Sequence, residues 1–552
     1  MQKTYYKFFF YLTIFLIFFG FYCALKIGMG VDENYHHKNG ILRYLYLTSL
    51  GKFEDYNWSN TRFYPGLFDT IHYALCRLIE NFIDIKHSVE IRHFFNYIFS
   101  SLGVLGLFFV NKKIFNKEIA ILSCVLTLLN PIFFGHMGMN PKDPIIFFAL
   151  IWTIFFFIKY VENLEKDHFK YLFLMSFFIG FGTGTRLTFL ALLLPLSLMW
   201  LYIIFKKKIK FKYIITNLII GGIIILILTI STWPHIHGGN YELIFEVIKK
   251  SSNWLIPMLH GVINGNYYQI QNTPRTYILE IFLYRVPLYF SILIIFSYII
   301  IFLKKKFFYE KLNPNFLLYF FLLNTILFFP IITMVITKTN IYDNARLILF
   351  TMPFFATIAS FGLLFIIINF EHFKILNKSF SVVILILTLL SIYRFASLTP
   401  YQYTYTNYLG SPIYAKSQND FEHDYWYSSY GELMKKIKQK YGEVEASKLK
   451  IRTCDNSHFA YKFYFNQILK TSQSVAEEAE YVIMTNRNLR YRKMNCLQLY
   501  QGTDIVSVKR LGLILSTFRK IESKEGKEYL THEWRLKNES WYEDWLKKNT
   551  KE

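Results

Sequence analysis

Long uncharged runs of apolar residues recur through the first 400 residues of this 552-residue chain, and they constrain its fold more than any other feature. About 20 such residues in a helix cross a bilayer core of about 30 Å. Backbone groups find no water in hydrocarbon, so such runs form helices. The pattern predicts a polytopic α-helical membrane protein with about 11 transmembrane helices. We place them at residues 8–25, 91–110, 118–135, 144–160, 170–182, 187–205, 213–233, 277–303, 315–336, 347–370 and 380–398.

The first run is expected to be a retained helix and not a cleaved signal peptide, because no small-residue cleavage site follows it. Abundant Lys, Ile, Phe and Asn are typical of an AT-rich genome, which favours a bacterial inner membrane.

The chain has 61 basic and 38 acidic residues, a formal net charge of +23. Such an excess indicates either a nucleic-acid partner or membrane orientation. Lysine clusters occupy alternate short loops, at 111–118, 206–212 and 304–306. By the positive-inside rule these loops and the N-terminus face the cytoplasm. Orientation therefore explains the charge, and no nucleic-acid partner is expected.

The opposite loops then face outward, and they carry a few isolated charged or titratable side chains. These are Asp32, Glu33, His136, Lys142, Asp143, Arg186 and Arg346. A carboxylate can act as general base for an acceptor hydroxyl, and cations can stabilise a departing lipid phosphate. Asp32 or Glu33 fits the base, and Lys142, Arg186 and Arg346 fit the phosphate contacts. Alternatively, the arginines extend to lipid headgroups and Lys142 with Asp143 forms a loop ion pair.

Two outer loops are too long to be turns. The loop at 26–90 contains an amphipathic stretch from 65 to 85, predicted as a helix at the membrane interface. It either frames a headgroup entrance or only packs on neighbouring helices. The aromatic loop at 234–276 is either a mobile lid or an ordered structural loop.

Histidines and cysteines leave further alternatives open. His36 and His37, with His235 and His237, suit a divalent metal by spacing, but ordinary surface or hydrogen-bonded histidines are favoured, and no metal site is predicted. No cofactor is predicted with certainty, and a divalent metal stays possible. Cys454 and Cys496 both lie in the outer segment, where a disulfide between them is one possibility.

Hydropathy falls after the last predicted span, which gives a transmembrane domain at 1–398 and a periplasmic domain at 399–552. A capping box at Ser429 and Glu432 predicts the start of a helix. Helix-like and strand-like stretches then alternate, which predicts a small α/β domain. The aromatic segments at 400–412 and 421–426 either contact sugars or dock this domain, and docking is favoured.

Several motifs together resemble the GT-C glycosyltransferases, in particular bacterial relatives of protein O-mannosyltransferases and of the lipid A aminoarabinose transferase. They follow in the expected order and lie on one side. They are VDE at 31–33, TRFYPGL at 61–67, RHFFNYIFSSLGVLGLFFV at 92–110, MNPKDP at 139–144, GFGTGTRLT at 180–188 and NARLILFTMP at 344–353.

The resemblance implies a GT-C-like fold and an inverting sugar transfer from a polyprenyl-phosphate donor, with Asp32 as base and Glu33 in support. The acceptor would be an envelope lipid, glycan or protein, and membrane lipids would be further partners. Lys142, Arg186 and Arg346 would lie near the donor phosphate. Weaker substrate contacts are expected from Arg62, Tyr64, His136 and Asp143.

Two other functions stay open. A polyprenyl-linked glycan ligase or polymerase also uses arginine-bearing outer loops, although its main functional loop is expected later in the chain. A transporter or flippase of lipid-linked sugars places ionisable residues near the bilayer midplane. Here they gather at one face, which favours the glycosyltransferase.

Overall fold

A computed structural model describes residues 2–82, 89–164, 168–250, 260–370, 375–454, 463–474, 478–488 and 493–522. Helices dominate as far as residue 397. They are α1 (Gln2–Lys26), α2 (Glu33–Thr48), α3 (Leu67–Glu80), α4 (Val89–Ile114), α5 (Lys117–Leu128), α6 (Pro131–His136), α7 (Asp143–Glu162), α8 (Phe169–Thr185), α9 (Phe189–Leu192), α10 (Leu194–Lys207), α11 (Phe211–Ile230), α12 (Pro234–His237), α13 (Glu242–Lys250), α14 (Tyr277–Tyr284), α15 (Leu288–Leu303), α16 (Lys305–Lys311), α17 (Phe316–Ile336), α18 (Met352–Asn369) and α19 (Ile375–Ser397).

Seven helices of the described residues are long and apolar enough to cross a membrane, or eight if α14 and α15, bent by 112°, form one broken span. Each of the other three predicted spans contains shorter helices: α5 and α6, α8, and α9 with α10. The predicted fold class, a polytopic helical membrane protein with a C-terminal α/β domain, is confirmed.

The chain divides into two compact units. The first contains Met1–Ile27, Tyr35–Leu255 and Gln271–Pro412. The second contains Gly28–Asn34, Ile256–Ile270 and Ile413–Glu552. The second unit thus begins with a short piece of chain that includes the acidic pair, and α2 contributes its first two residues to it.

Buried polar side chains join the helices of the first unit. The Asn111 amide of α4 donates to Ser123 Oγ of α5 at 2.8 Å and to Thr357 Oγ1 of α18 at 2.8 Å. Between helices, such hydrogen bonds are worth about 0.6 kcal/mol on average. They fix the relative positions of three helices that pack chiefly by shape.

Helix α3 buries polar and apolar side chains together. Leu67, Phe68, Asp69, Thr70 and His72 are buried, whereas Leu78 is 53% exposed and Phe82, just past its end, is 81% exposed. The predicted helix forms, and apolar side chains at its C-terminal end face outward. Its Asp69 belongs to the cluster of ionisable residues described below.

The segment after α19 is structural. Tyr401, Tyr403 and Tyr405 are fully buried, and the Asn407 amide donates to the carbonyls of Leu283 and Val286 at 2.6 and 2.8 Å. These contacts hold the segment against the break between α14 and α15. The segment 400–412 thus packs within the first unit, and its predicted docking of the C-terminal domain stays a prediction.

The second unit contains a four-stranded sheet in the order β3-β4-β6-β5. Strand β3 is parallel to β4, and the other pairs are antiparallel. The elements are the hairpin β1 (His260–Ile263) and β2 (Asn266–Gln269), helix α20 (Tyr430–Lys448), β3 (Ile451–Thr453), β4 (Tyr481–Thr485), α21 (Cys496–Leu499), β5 (Gly502–Arg510) and β6 (Leu513–Ile521).

Cys454 and Cys496 form a disulfide in the core of this unit. Helix α20 begins where predicted, but the predicted capping box is wrong: the Ser429 side chain caps no helix N–H. Its hydroxyl donates to Asp424 instead and is hydrogen-bonded to the Ser516 hydroxyl. A buried carboxylate is a strong acceptor for the hydroxyl proton of Ser429.

Within the loop at 234–276, residues 260–269 form the β1–β2 hairpin, which is bridged to Phe421 through Ile263. Residues 251–259, which include Trp254 of the predicted lid, lie outside the described residues.

Candidate functional site

Asp143 is the centre of an ionic cluster in the first unit, at the N-terminus of α7. Its carboxylate accepts from Arg346 Nε at 3.1 Å and from the Asn140 amide at 2.8 Å. Arg186, which follows α8, has its guanidinium 3.8 Å from the other carboxylate oxygen. The cluster therefore unites residues from three parts of the sequence, which were predicted to share one membrane face.

The loop before α7 is shaped by Asn140. Its side-chain oxygen accepts from the backbone N–H groups of Lys142 and Asp143, each at 3.0 Å. The amide nitrogen points to the Asp143 carboxylate, so Asn140 fixes both the turn and the acid that follows it. Asn favours this local bonding, which explains its place in MNPKDP.

Arg346 is 6% exposed and binds two carboxylates at once. Besides Asp143, it donates to Asp343 through Nη1 at 3.0 Å. Asp343 and Asn344 both adopt left-handed backbone conformations, with φ of +56° and +57°, which turn the chain so that Asp343 reaches the arginine. Two acidic partners largely satisfy this guanidinium.

Lys142 is different. It is 6% exposed, its ammonium lies 3.9 Å from the centre of the Tyr64 ring, and across the described part of the chain it forms no ion pair with a carboxylate. Burying an ammonium is costly unless it is paired. The aromatic face supplies part of that stabilisation through a cation–π contact.

Asp69 adds a second acid that the sequence did not mark as functional. Its carboxylate lies 3.1 Å from His36 Nδ1 and accepts from the Asn39 amide at 2.6 Å. Burial alone would raise the pKa of Asp69. The charge of His36, the hydrogen bonds from His36 and Asn39, and the charge of Lys142 together lower this pKa below its usual value.

Arg43 fixes the turn at residues 61–66, which together with α3 forms the wall of the cluster beside Lys142. It is 1% exposed and donates to the backbone carbonyls of Thr61, Tyr64 and Thr232. Gly66 has φ of +84°, and an added Cβ there would lie 2.3 Å from Arg43 Nε. The motif TRFYPGL therefore shapes a turn around a buried arginine, which sets the position of the Tyr64 ring.

His136 is fully buried near the cluster, with Nδ1 3.4 Å from the Asn140 amide. It follows the predicted span 118–135. Burial lowers the pKa of His136 to about 3, with Arg346 lowering it further and Asp143 opposing. At neutral pH its imidazole is uncharged.

Arg62 lies apart from these contacts. Its guanidinium pairs with Glu246 of α13 at 3.4 Å, with both side chains well exposed, and it packs on the Phe63 ring. Of the predicted substrate contacts, the structure brings Tyr64, His136 and Asp143 into the cluster and its wall.

Asp32 and Glu33 belong to the second unit. Glu33 is 1% exposed, and its carboxylate accepts from the Gly30 N–H at 3.2 Å. Asp32 is partly exposed. Of the two acids, Glu33 therefore serves the turn, and Asp32 is the one that solvent reaches.

Metal ligands do not gather in the ranges that the structure describes: it contains no group of three or more His, Cys, Asp or Glu side chains able to hold a metal ion. His36 is paired with Asp69, and the rings of His37, His235 and His237 pack on Tyr73, Tyr56 and Tyr46.

The cluster contains three cations, Lys142, Arg186 and Arg346, and three carboxylates, Asp69, Asp143 and Asp343. Arg186 is one third exposed and has only a distant ion pair. An anion at this place would contact the Lys142 ammonium and the Arg186 guanidinium, most of whose N–H groups are available as donors. The arrangement is suited to binding a phosphate beside a water-poor membrane surface.

Comparison with known proteins finds a family match for part of the chain. The sequence model of the family described as dolichyl-phosphate-mannose-protein mannosyltransferase matches residues 78–234, a range that includes Lys142, Asp143 and Arg186. The sequence matches none of the curated proteins.

Among solved structures, ArnT from Cupriavidus metallidurans bound to undecaprenyl phosphate is similar at 10% identity and a TM-score of 0.47, covering 92% of this chain and 97% of that one. The oligosaccharyltransferase of Archaeoglobus fulgidus in the apo form is similar at 10% identity and a TM-score of 0.45, covering 86% and 69%.

The apolar helices define an integral membrane protein. Its residues 78–234 resemble the dolichyl-phosphate-mannose-protein mannosyltransferase family, as the sequence motifs predicted.

Proposed function

We propose that this protein transfers a sugar from a polyprenyl-phosphate-linked donor to a hydroxyl of a cell-envelope lipid, glycan or protein at the outer face of a bacterial inner membrane. The observation that carries the proposal is Lys142: a buried ammonium on the Tyr64 ring, without an ion pair among the described residues and next to a part-exposed arginine. The family match over residues 78–234 supports the reaction class.

In the proposed reaction, Asp32 accepts the proton of the acceptor hydroxyl, whose oxygen attacks the anomeric carbon of the donor sugar. The bond from that carbon to the phosphate oxygen breaks, and the electron pair leaves with the polyprenyl phosphate. One displacement inverts the anomeric centre. The base raises the nucleophilicity of the hydroxyl, and cations stabilise the charge that develops on the leaving phosphate.

Lys142 and Arg186 are the proposed phosphate contacts. Arg346, bound to Asp143 and Asp343, contributes charge and holds Asp143 in place. Asp143 in turn lies where it orients Arg186. Glu33 keeps the turn that presents Asp32, since its carboxylate is hydrogen-bonded within that turn.

The test is transfer by purified protein in lipid nanodiscs, with a panel of polyprenyl-phosphate sugars and product detection by mass spectrometry. Loss of one charge-assisted contact in Lys142→Met or Arg186→Gln is expected to weaken donor binding by about 10- to 100-fold. Asp32→Asn is expected to reduce turnover to a small but measurable residual rate, with donor binding retained.

The matched control is Lys113→Gln. It removes the lysine of a partly exposed ion pair with Glu162, the last residue of α7, whereas Asp143 is the first residue of that helix. It is expected to leave donor binding unchanged. Full activity of a folded Asp32→Asn protein would overturn the assignment of the base. Movement of the lipid-linked sugar across the bilayer without chemical change would instead identify a transporter.

A further inference from the structure

The turn that carries Asp32 belongs to the same compact unit as the C-terminal domain. Two backbone N–H groups of this turn are bound by that domain. Met29 donates to the Tyr464 hydroxyl at 2.7 Å, and Val31 donates to the Trp426 carbonyl at 3.1 Å. Met29, Trp426 and Tyr464 are at most 2% exposed, so these hydrogen bonds are screened from water.

Close backbone packing adds to the hydrogen bonds. A Cβ on Gly28 would lie 2.2 Å from the Ser428 carbonyl oxygen and 2.8 Å from the Tyr464 hydroxyl. A Cβ on Gly431 would lie 3.4 Å from Gly28 Cα. Only glycine at position 28 allows this approach, because the neighbouring atom is backbone and has little freedom to move.

The partner segment is itself fixed to the sheet. The Asp424 carboxylate accepts from the N–H groups of Ser428 and Ser429, each at 3.0 Å, and from the Ser429 hydroxyl. The Ser429 hydroxyl also lies 2.7 Å from Ser516 Oγ of β6, within hydrogen-bond distance. The Trp426 carbonyl therefore lies in a loop whose position is set by β6.

Inside the turn, Glu33 donates its N–H to the Gly30 carbonyl at 3.2 Å, and its side chain accepts from the Gly30 N–H. This reciprocal pair closes the turn around Asp32. The C-terminal domain binds one side of the turn and Glu33 closes the other.

We infer that the C-terminal domain positions the proposed general base, with Tyr464 and Gly28 as positioning residues for Asp32. The inference rests on the proposed function, in which Asp32 takes the acceptor proton. A displacement of the base by about 1 Å lowers the rate by about 100-fold. Residues that do not touch the substrate can therefore control turnover through this turn.

The test is a double-mutant cycle on sugar transfer in nanodiscs with a polyprenyl-phosphate sugar as donor. Tyr464→Phe removes the acceptor of the Met29 N–H and is expected to lower kcat by about 10-fold or more, while the KM for the donor stays within about twofold. In an Asp32→Asn background the same substitution is expected to have no further effect, because its action passes through the carboxylate.

Two controls separate positioning from general damage. Tyr481→Phe removes a hydroxyl from a strand residue of the same domain, whose ring stacks on Phe518, and is expected to leave kcat unchanged. Gly28→Ala is expected to lower kcat like Tyr464→Phe, whereas Gly222→Ala, with nothing within 4 Å of an added Cβ, is expected to be neutral. Thermal unfolding and donor-binding stoichiometry give the folded fraction of each variant.

The outcomes are distinct. If Tyr464→Phe lowers residual transfer by the same factor with and without Asp32→Asn, or leaves kcat unchanged, the positioning role is wrong and the proposed base stands. If Asp32→Asn alone retains full transfer, the base assignment fails, and the inference fails with it.

Discussion

Three cations of the cluster have three different environments. Arg346 binds two carboxylates, Arg186 faces one at 3.8 Å, and Lys142 lies on an aromatic ring. The charge and N–H donors of a buried guanidinium that is paired with two carboxylates are already engaged, so they bind a further anion weakly. The capacity to bind a further anion therefore rests with Lys142 and Arg186, and the effect of each substitution follows from this difference.

Arg346→Met is expected to destabilise the fold by about 3–5 kcal/mol, since it leaves Asp143 and Asp343 buried without their common partner. Thermal unfolding in detergent measures the loss. Adding Asp343→Asn removes one orphaned charge and is expected to restore part of the stability. A stable Arg346→Met protein with weakened donor binding would instead place Arg346 among the direct phosphate contacts.

His136 predicts a pH dependence. Its pKa is about 3 in the folded protein, lowered from 6.5 chiefly by burial, so the unfolded chain takes up a proton below pH 6.5 that the folded protein refuses. The resulting stability is complete above pH 6.5 and is lost as the pH falls toward 3. Unfolding temperatures between pH 4 and 8 are expected to fall less steeply in His136→Gln. Equal slopes in both proteins would contradict the assignment.

At the scale of elements, α3 and the turn before it form the wall of the cluster. The polar side of α3 brings Asp69 to His36 and Asn39 of α2, and the preceding turn holds Arg43. Position 66 combines a left-handed backbone with close approach of the Arg43 side chain. The turn therefore depends on glycine for two independent reasons.

Gly66→Ala is expected to destabilise by more than about 1 kcal/mol and to weaken donor binding, because the arginine that fixes the Tyr64 carbonyl must move. Gly51→Ala is the matched control: its φ is +83°, but the nearest atom to an added Cβ is 3.6 Å away. It carries the backbone strain without the clash. Equal effects of the two substitutions would show that Arg43 is not involved.

In the second unit, the disulfide between Cys454 and Cys496 bridges 42 residues of chain. Replacing both by serine is expected to destabilise this unit by about 2–5 kcal/mol. The measurement is thermal unfolding of the full-length protein, with and without dithiothreitol. The variant is expected to unfold at the same temperature in both buffers, whereas the natural protein loses stability on reduction.

Which of these features the sequence predicts depends on the range of the contact. Lys142, Asp143, Arg186 and Arg346 were predicted together because each flanks an apolar run on the same side. Asp69 was missed, because an amphipathic pattern does not tell which polar side chains of a helix are buried. Its contacts with His36 and Asn39 also join residues 33 and 30 positions apart, with no motif linking them.

For the whole molecule, orientation in the membrane stays a prediction from the lysine-rich loops. The described free cysteines, Cys23, Cys76 and Cys124, are buried, so they are expected to react little with a labelling reagent. In intact cells, Lys206→Cys is expected to be protected from a membrane-impermeant maleimide, and Gln439→Cys is expected to react. Both side chains are exposed in the structure. The reverse pattern would place the cluster on the cytoplasmic side.

Helix α3 has a practical consequence for anyone who purifies this protein. Its Asp69 contacts His36 and Asn39, and its C-terminal end presents Leu78, with Phe82 just beyond, to the surroundings. The choice of detergent is then an experimental variable of the site itself. We expect short-chain detergents, which pack poorly around such a helix, to loosen the Asp69 contacts and depress activity, and reconstitution into lipid to restore it.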